Sequence, residues 1–263
     1  MKKPLALIYS YFSYLVGLGT ILYMIGFVGD FLVPKTINSG APGAPTQAIL
    51  LNSALLILFG SQHSLMARST FKTWWSKVLP KAFQRSTYVV LTSLVLGSVF
   101  WLWKPLPFRL WNLESTWLRI LIWTLFTSGW LLVFISARMI NSGHFFGLQQ
   151  IKEFTQEKQL TAPGFKKPGL YRYIRHPLML GFLLAFWATP EMTVGRMLFS
   201  LGLTIYILIA LQFEERDLIH RFGVKYQRYR KQVPMLIPGL GTWKANRIKK
   251  EFFSKSSDQP SSR

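Results

Sequence analysis

The sequence predicts an all-α membrane protein, a polytopic bundle of five to six transmembrane helices with a small cytoplasmic cap. Half of its 263 residues are hydrophobic and only 16% are charged, less charge than soluble domains carry. Apolar runs of about 20 residues, the length of a helix that crosses a bilayer, recur along the chain. Basic residues gather between these runs, as they do on the cytoplasmic side of membrane proteins.

Each predicted segment is an apolar run bounded by charged, proline-rich or glycine-rich sequence. The fifth run is short and ends at Pro190. It is therefore predicted to form a tight helical hairpin with the sixth, and to be able to dip into the membrane without fully crossing it. The six predicted segments are Leu5–Val33, Gln47–Met66, Thr87–Trp103, Trp117–Ile140, Pro177–Thr189 and Thr193–Phe213.

The connections between the segments alternate in charge, which predicts the orientation. Pro34–Thr46 and Lys104–Thr116 carry few charges, whereas Ala67–Ser86, Asn141–His176 and the stretch after Phe213 are rich in Lys and Arg. Placing the basic connections in the cytoplasm puts both termini inside, in agreement with six crossings. The apolar stretch after Lys3 is longer than that of a signal peptide and no small-residue cleavage site ends it, so we expect a retained first span.

Composition narrows the classes of function. The net charge of +21 is compatible with nucleic acid, but no nucleic-acid motif is present and the cations flank apolar runs, so membrane lipids are the expected contacts. The absence of cysteine excludes disulfides, thiolate metal sites and cysteine nucleophiles. No group of histidines or carboxylates has the spacing of a zinc site, so no metal is expected. The sequence implies no obligate protein partner.

Three regions are predicted along the chain. Residues 1–140 form the N-terminal transmembrane helices. Residues 141–240 form a cofactor-binding cap together with the C-terminal transmembrane hairpin. Residues 241–263 form a basic and polar tail that is expected to be disordered at its end.

The most informative motif runs from Pro168 to Pro177 and includes Tyr171, Arg175 and His176. Pro177 suits the first position of a helix and is expected to restrain His176 to an extended conformation. Arg175 and His176 then lie at a helix N-terminus, where free N–H groups and the helix dipole favour an anion such as a carboxylate. The alternative is that Arg175 only meets lipid headgroups.

A pair of acidic residues, Glu214 and Glu215, directly follows the sixth apolar run in a chain with only 10 acidic residues. Carboxylates at this boundary could accept hydrogen bonds from a cofactor's ammonium or hydroxyl groups. They could equally form salt bridges with Arg216 or neighbouring loops. An apolar stripe at helical spacing follows and is expected either to anchor in the membrane or to cover the site, with Gly223 marking a helix break or a close contact. Its members are Leu218, Phe222, Tyr226, Tyr229 and Val233.

Two other histidines are candidate functional residues. His144 lies in a glycine-containing stretch with Gly147 and Gln150, after the fourth segment, where it is either a site residue or an interfacial histidine. His63 lies inside the second apolar run, and intramembrane histidines are functional candidates. It could ligate haem, but a position near the cytoplasmic end of its span with interhelical hydrogen bonds is the favoured interpretation.

The order of these motifs resembles the isoprenylcysteine carboxyl methyltransferase and phospholipid methyltransferase superfamily. The resemblance covers about the last hundred residues, and within the superfamily the stretches around residues 176–190 and 211–218 are similar to bacterial methanethiol S-methyltransferases. One departure is Met179, at a position where the broader superfamily often has tyrosine. The matching residues are Arg175, His176, Pro177, Gly181, Glu214, Glu215, Phe222, Gly223, Tyr226, Tyr229, Val233 and Pro234.

The resemblance implies S-methylation of methanethiol to dimethyl sulfide, with S-adenosylmethionine as the methyl donor and a cap that faces the cytoplasm. It implies that Arg175 and His176 bind the cofactor and act in catalysis, and that Glu214 and Glu215 contact the cofactor. It places His144, Gly147 and Gln150 on its adenosine side, and Tyr171 is predicted to contact it as well. Two alternatives stay open from the residues alone: another acceptor, such as a phospholipid amine, a protein carboxylate or a larger thiol, and a non-catalytic haem or quinone protein.

Overall fold

The computed structural model describes residues 3–140, 143, 146–158 and 164–237. Within these ranges the chain is a helical bundle with one short pair of strands, so the predicted all-α polytopic fold is confirmed. The helices are α1 Lys3–Gly29, α2 Pro45–Ala67, α3 Ser69–Trp75, α4 Lys81–Leu102, α5 Thr116–Ile140, α6 Leu148–Thr155, α7 Pro177–Trp187, α8 Val194–Phe222 and α9 Val224–Gln232. The strands are β1 Arg109–Asn112 and β2 Glu191–Thr193.

Five of the described helices, α1, α2, α4, α5 and α8, are long and apolar enough to cross a membrane. The chain is therefore a multi-pass membrane protein. The last of these helices runs nine residues beyond the predicted end at Phe213, because the charged residues that follow are good helix formers. It ends at Gly223, whose φ of 56° and ψ of −132° suit glycine alone, so the helix break is the correct reading of this residue.

The short fifth segment does not span the bilayer as a helix. Helix α7 has 11 residues, which gives a length of about 16 Å against a hydrocarbon thickness of about 30 Å. Strand β2 follows it and pairs antiparallel with β1, with Thr193 opposite Arg109 and Glu191 opposite Asn112. This strand pair was not predicted, and it ties the α7–α8 hairpin to the α4–α5 connection.

Glycines allow α7 to pack directly against α5. A Cβ atom at Gly129 would lie 2.8 Å from the carbonyl oxygen of Gly181, and a Cβ at Gly181 would lie 2.7 Å from that of Gly129. Only glycine permits such an approach, which is typical of helix pairs in membranes. The contact fixes α7 against a full-length helix and thereby fixes the position of its N-terminus.

The core joins helices from both halves of the chain. Phe27 of α1, Val99 of α4, Trp130 of α5, Phe186 of α7 and Phe199 of α8 belong to one buried cluster. The division of the chain at residue 140 stays a prediction, and the predicted tail 241–263 lies outside the described residues.

Candidate functional site

Arg175 and His176 lie at the N-terminus of α7. Pro177 takes the first helical position, as predicted. His176 caps the helix with φ −129° and ψ 60°, which is outside the helical region but is not the extended conformation that was predicted. The segment after α9 folds back beside them, because the backbone N–H groups of Arg175 and His176 donate to the carbonyls of Pro234 (3.0 Å) and Met235 (3.1 Å). The chain's last described residues therefore hold this helix start in place.

Glu215 reaches both of these side chains from α8. Its Oε1 lies 2.8 Å from Nε of Arg175 and 3.2 Å from Nε2 of His176. The Tyr226 hydroxyl donates to the same oxygen at 3.5 Å, and Nε of Arg230 lies 3.9 Å from Oε2. We call Arg175, His176 and Glu215 the buried ion cluster, since each side chain is at most 8% exposed. The opposite charges of Arg175 and Glu215 satisfy each other in a place from which water is largely excluded.

Glu214 differs from its neighbour in exposure. Its side chain is 50% exposed, and its Oε2 lies 3.7 Å from Nδ1 of His176. Burial, and then the negative charge of Glu214, raise the pKa of the Tyr171 hydroxyl above its usual value. Glu214 thus presents a carboxylate at the rim of the buried ion cluster.

The part of the apolar stripe that follows Gly223 covers the buried ion cluster on the side of the cap. Tyr226, Tyr229 and Val233 form a small buried cluster that packs with Phe165 of the cap. The Tyr229 hydroxyl donates to the carbonyl of Tyr171 at 2.5 Å. Burial raises the pKa of Tyr229 to about 12, with the positive charge of Arg175 opposing the shift, so this hydroxyl is a permanent donor at neutral pH. These contacts support the covering role over membrane anchoring.

Comparison with known proteins identifies the family. The family model described as NnrU protein matches residues 51–239, a range that includes α4, α5, α7, α8 and the whole buried ion cluster. The chain belongs to the NnrU protein family. No solved structure matches it.

Several relatives of this NnrU family member carry the name of an enzyme. It is 51% identical over 236 residues to methanethiol S-methyltransferase 2 of Bradyrhizobium diazoefficiens, covering 89% of this chain and 90% of that one. It is 47% identical over 238 residues to the methanethiol S-methyltransferase of Mycobacterium tuberculosis, covering 90% and 98%. It is also 31% identical over 229 residues to nurim of Bos taurus, covering 78% and 86%. The predicted relationship to methanethiol S-methyltransferases is confirmed.

Of the residues predicted on the adenosine side, Gly147 and Gln150 lie beside α1 and α4, and one lies outside the described residues. In this NnrU family member, Gly147 precedes α6 with φ 94° and packs against α4, where a Cβ would meet Ser86 Oγ at 2.6 Å. Gln150 lies in α6, which packs on α1 and α4. His144 lies outside the described residues. The predicted roles of Gly147, Gln150 and His144 stay predictions.

Two contacts of the cluster were not predicted. Arg230 accepts on its backbone carbonyl the hydrogen bond from Nη1 of Arg175 (2.8 Å), besides the contact of its own side chain with Glu215. Tyr226 was expected in an apolar stripe, without its hydrogen bond to Glu215. The sequence carries one signal for this contact. Tyr226 follows Glu215 by eleven residues, and Gly223 between them ends α8 and turns α9 back towards it.

Proposed function

We propose that this protein catalyses the S-methylation of methanethiol to dimethyl sulfide at the bacterial inner membrane, with S-adenosylmethionine as methyl donor and the site facing the cytoplasm. The observation that carries this proposal is the meeting of Arg175, His176, Glu214 and Glu215 at one end of the bundle in a chain whose relatives bear this name. Separate motifs 39 residues apart converge on one cluster of side chains.

The donor set fits the ionic end of S-adenosylmethionine. The first N–H groups of α7, on Leu178 and Met179, have no partner one turn earlier in the helix, and with Arg175 they suit a carboxylate. The guanidinium has five N–H donors, and Nη1 and Nε are already engaged, which leaves donors for a ligand. The half-exposed carboxylate of Glu214 suits an ammonium or ribose hydroxyls.

The protein's contribution to the reaction is mainly alignment. When bound, S-adenosylmethionine supplies a methyl group on a positively charged sulfur. Transfer to a thiol is an in-line displacement, for which fixed geometry lowers the barrier by about 7–11 kcal/mol at most. The buried ion cluster supplies this fixed geometry because Glu215 locks Arg175 and His176 from a second helix.

The orientation follows from charge. The described ends of α2, α4, α5 and α8 on the side of the buried ion cluster adjoin the basic connections, whereas β1 and β2 lie at the opposite end. Because basic connections stay in the cytoplasm, the cluster faces the cytoplasm. Inverted membrane vesicles should therefore form dimethyl sulfide from added S-adenosylmethionine, which does not cross membranes, whereas right-side-out vesicles should need permeabilisation.

The activity is tested on membranes that contain the protein, supplied with methanethiol and S-adenosylmethionine. We expect dimethyl sulfide in the headspace, detected by gas chromatography, and its loss in His176→Ala. The matched control is His220→Ala, an exposed histidine on the same helix as Glu215, which should retain activity. Full activity in His176→Ala, or no product from the unaltered protein, would refute the proposal.

A further inference from the structure

An apolar cavity of about 220 Å³ lies among the membrane helices. Side chains of α1, α2, α4, α7 and α8 line it, together with Phe146. Its wall is mainly hydrocarbon and includes Met24, Phe59, Phe182 and Leu203. Arg175, His176 and Glu215 are not among its lining residues, so the cavity is distinct from the buried ion cluster.

One end of the cavity is polar. His63, Arg85, Tyr88 and Tyr206 line it, and Nε2 of His63 lies 2.7 Å from the hydroxyl oxygen of Tyr88. The Arg85 guanidinium lies 4.9 Å from the centre of the Tyr88 ring. The expected interhelical hydrogen bond of His63 is thus present. Polar groups inside a membrane are costly and mark functional paths.

The polar end lies on the side of the buried ion cluster. His63 comes four residues before the end of α2 and Arg85 four residues after the start of α4, and both ends adjoin the basic connection between them. Leu178 and Met179, the second and third residues after His176, also line the cavity.

We propose that this cavity is the acceptor pocket, which takes a small apolar thiol from the hydrocarbon phase of the membrane. The alkyl group rests against the hydrocarbon wall, and the sulfur points to the polar end formed by Arg85 and the His63–Tyr88 pair. This inference rests on the proposed methyltransferase activity and names the place where the acceptor binds.

The volume restricts the acceptor. The cavity volume of about 220 Å³ is small for a ligand site. Pockets for drug-sized ligands measure about 300–1,000 Å³. The cavity therefore accommodates a thiol of a few heavy atoms, whereas a phospholipid or a prenylated peptide would need a larger one. Met179 adds to this restriction, since its flexible side chain borders the cavity directly beside the site.

The polar end suits the reactive form of a thiol. A free thiol has a pKa of about 8.5, and a nearby positive charge such as that of Arg85 favours the thiolate. The thiol proton leaves to water, and the acceptor sulfur then forms a bond to the methyl carbon. The bond between that carbon and the sulfonium sulfur breaks, and its electron pair stays on the departing thioether.

Shortening a side chain in the cavity wall tests the proposed acceptor pocket. Membranes that contain Leu203→Ala are given equal concentrations of methanethiol and 1-propanethiol with excess S-adenosylmethionine. The ratio of methyl propyl sulfide to dimethyl sulfide should rise by about tenfold or more, because each methylene that a pocket accommodates changes selectivity by that order. The matched control is Leu208→Ala on the same helix, where the side chain is 41% exposed on the outside of the bundle and the ratio should not change.

The outcomes separate the two proposals. Dimethyl sulfide formed with an unchanged ratio in Leu203→Ala overturns the pocket and leaves the methyltransferase standing. No dimethyl sulfide from the unaltered protein overturns the methyltransferase and the pocket with it. If Leu203→Ala does not accumulate in membranes, Phe182→Leu makes the same comparison with a smaller change, because Phe182 lines the same wall.

The polar end of the cavity, to which the thiol sulfur is proposed to point, is tested separately. Tyr88→Phe removes the hydroxyl that meets His63 and should raise the KM for methanethiol about 2- to 10-fold, the range for one lost hydrogen bond, with the KM for S-adenosylmethionine unchanged. The control is Tyr9→Phe, whose hydroxyl bonds Thr87 next to Tyr88 but does not line the cavity. An unchanged KM in Tyr88→Phe, or an equal rise in Tyr9→Phe, would overturn the assignment.

Discussion

Replacing the two adjacent glutamates one at a time should separate stability from cofactor binding. Glu215 is 8% exposed and its Oε1 contacts both Arg175 and His176, whereas Glu214 is 50% exposed and lies 3.7 Å from His176. Glu215→Gln leaves the Arg175 guanidinium buried without its counter-charge. Breaking a buried ion pair in this way costs about 3–5 kcal/mol, a large part of a typical folding free energy.

Glu214→Gln should act on binding instead. It removes a carboxylate that is half in water, so the folded protein loses little. A hydrogen bond from the cofactor's ammonium to a charged partner is worth about 1.5–3 kcal/mol. Its loss corresponds to a Kd for S-adenosylmethionine about 10- to 100-fold weaker.

Two measurements on the purified protein in nanodiscs distinguish these outcomes. Thermal unfolding reports stability, and isothermal titration calorimetry reports the Kd for S-adenosylmethionine. We expect a lower midpoint only in Glu215→Gln, and a weaker Kd at unchanged midpoint in Glu214→Gln. Equal losses of stability in the two variants, or wild-type affinity in Glu214→Gln, would show that the division between a structural and a ligand-binding carboxylate is wrong.

Three further outcomes follow from the packing and the cap. Gly181→Ala places a methyl 2.7 Å from the Gly129 carbonyl and should lower the unfolding free energy by about 1–3 kcal/mol in thermal unfolding, whereas Gly97→Ala, with open space around it, should not. Gly223→Ala meets no neighbour but strains a φ of 56°, and should cost about 1–3 kcal/mol in the same assay. Burial raises the pKa of Tyr229 in the folded protein from 10 to about 12, so this hydroxyl ionises at a lower pH in the unfolded chain than in the folded one. The free energy of unfolding should therefore stay constant up to pH 9 and fall between pH 10 and 12. It should fall less steeply in Tyr229→Phe.

Most of the candidate site could be predicted because its residues lie at helix ends. Pro177 marks the start of α7 in the sequence, and the apolar run before Glu214 marks its position on α8. The difference between Glu214 and Glu215 could not be predicted, because it depends on which face of α8 meets α7. Neighbouring helical residues point about 100° apart, so only the packing decides that Glu215 is buried and Glu214 is not.

The acceptor cavity could not be predicted for the same reason. Its polar end brings together His63 of α2, Arg85 and Tyr88 of α4 and Tyr206 of α8, which lie far apart in the sequence. Each residue alone is compatible with interfacial anchoring or an interhelical hydrogen bond. The β1–β2 pair was likewise hidden, because strands of three and four residues give too few positions for an alternating pattern.

The two reactants of the proposed reaction prefer different phases, and the fold lets them meet. A charged nucleoside is costly to bring into hydrocarbon, whereas a small thiol dissolves there. Glu215 lies 21 residues beyond Val194 on α8, about 32 Å along the helix, which is the length needed to cross a hydrocarbon layer about 30 Å thick. The cavity begins at Leu178, two residues beyond His176 on α7. Only the methyl group has to pass between the two sites, and α7 starts where they adjoin.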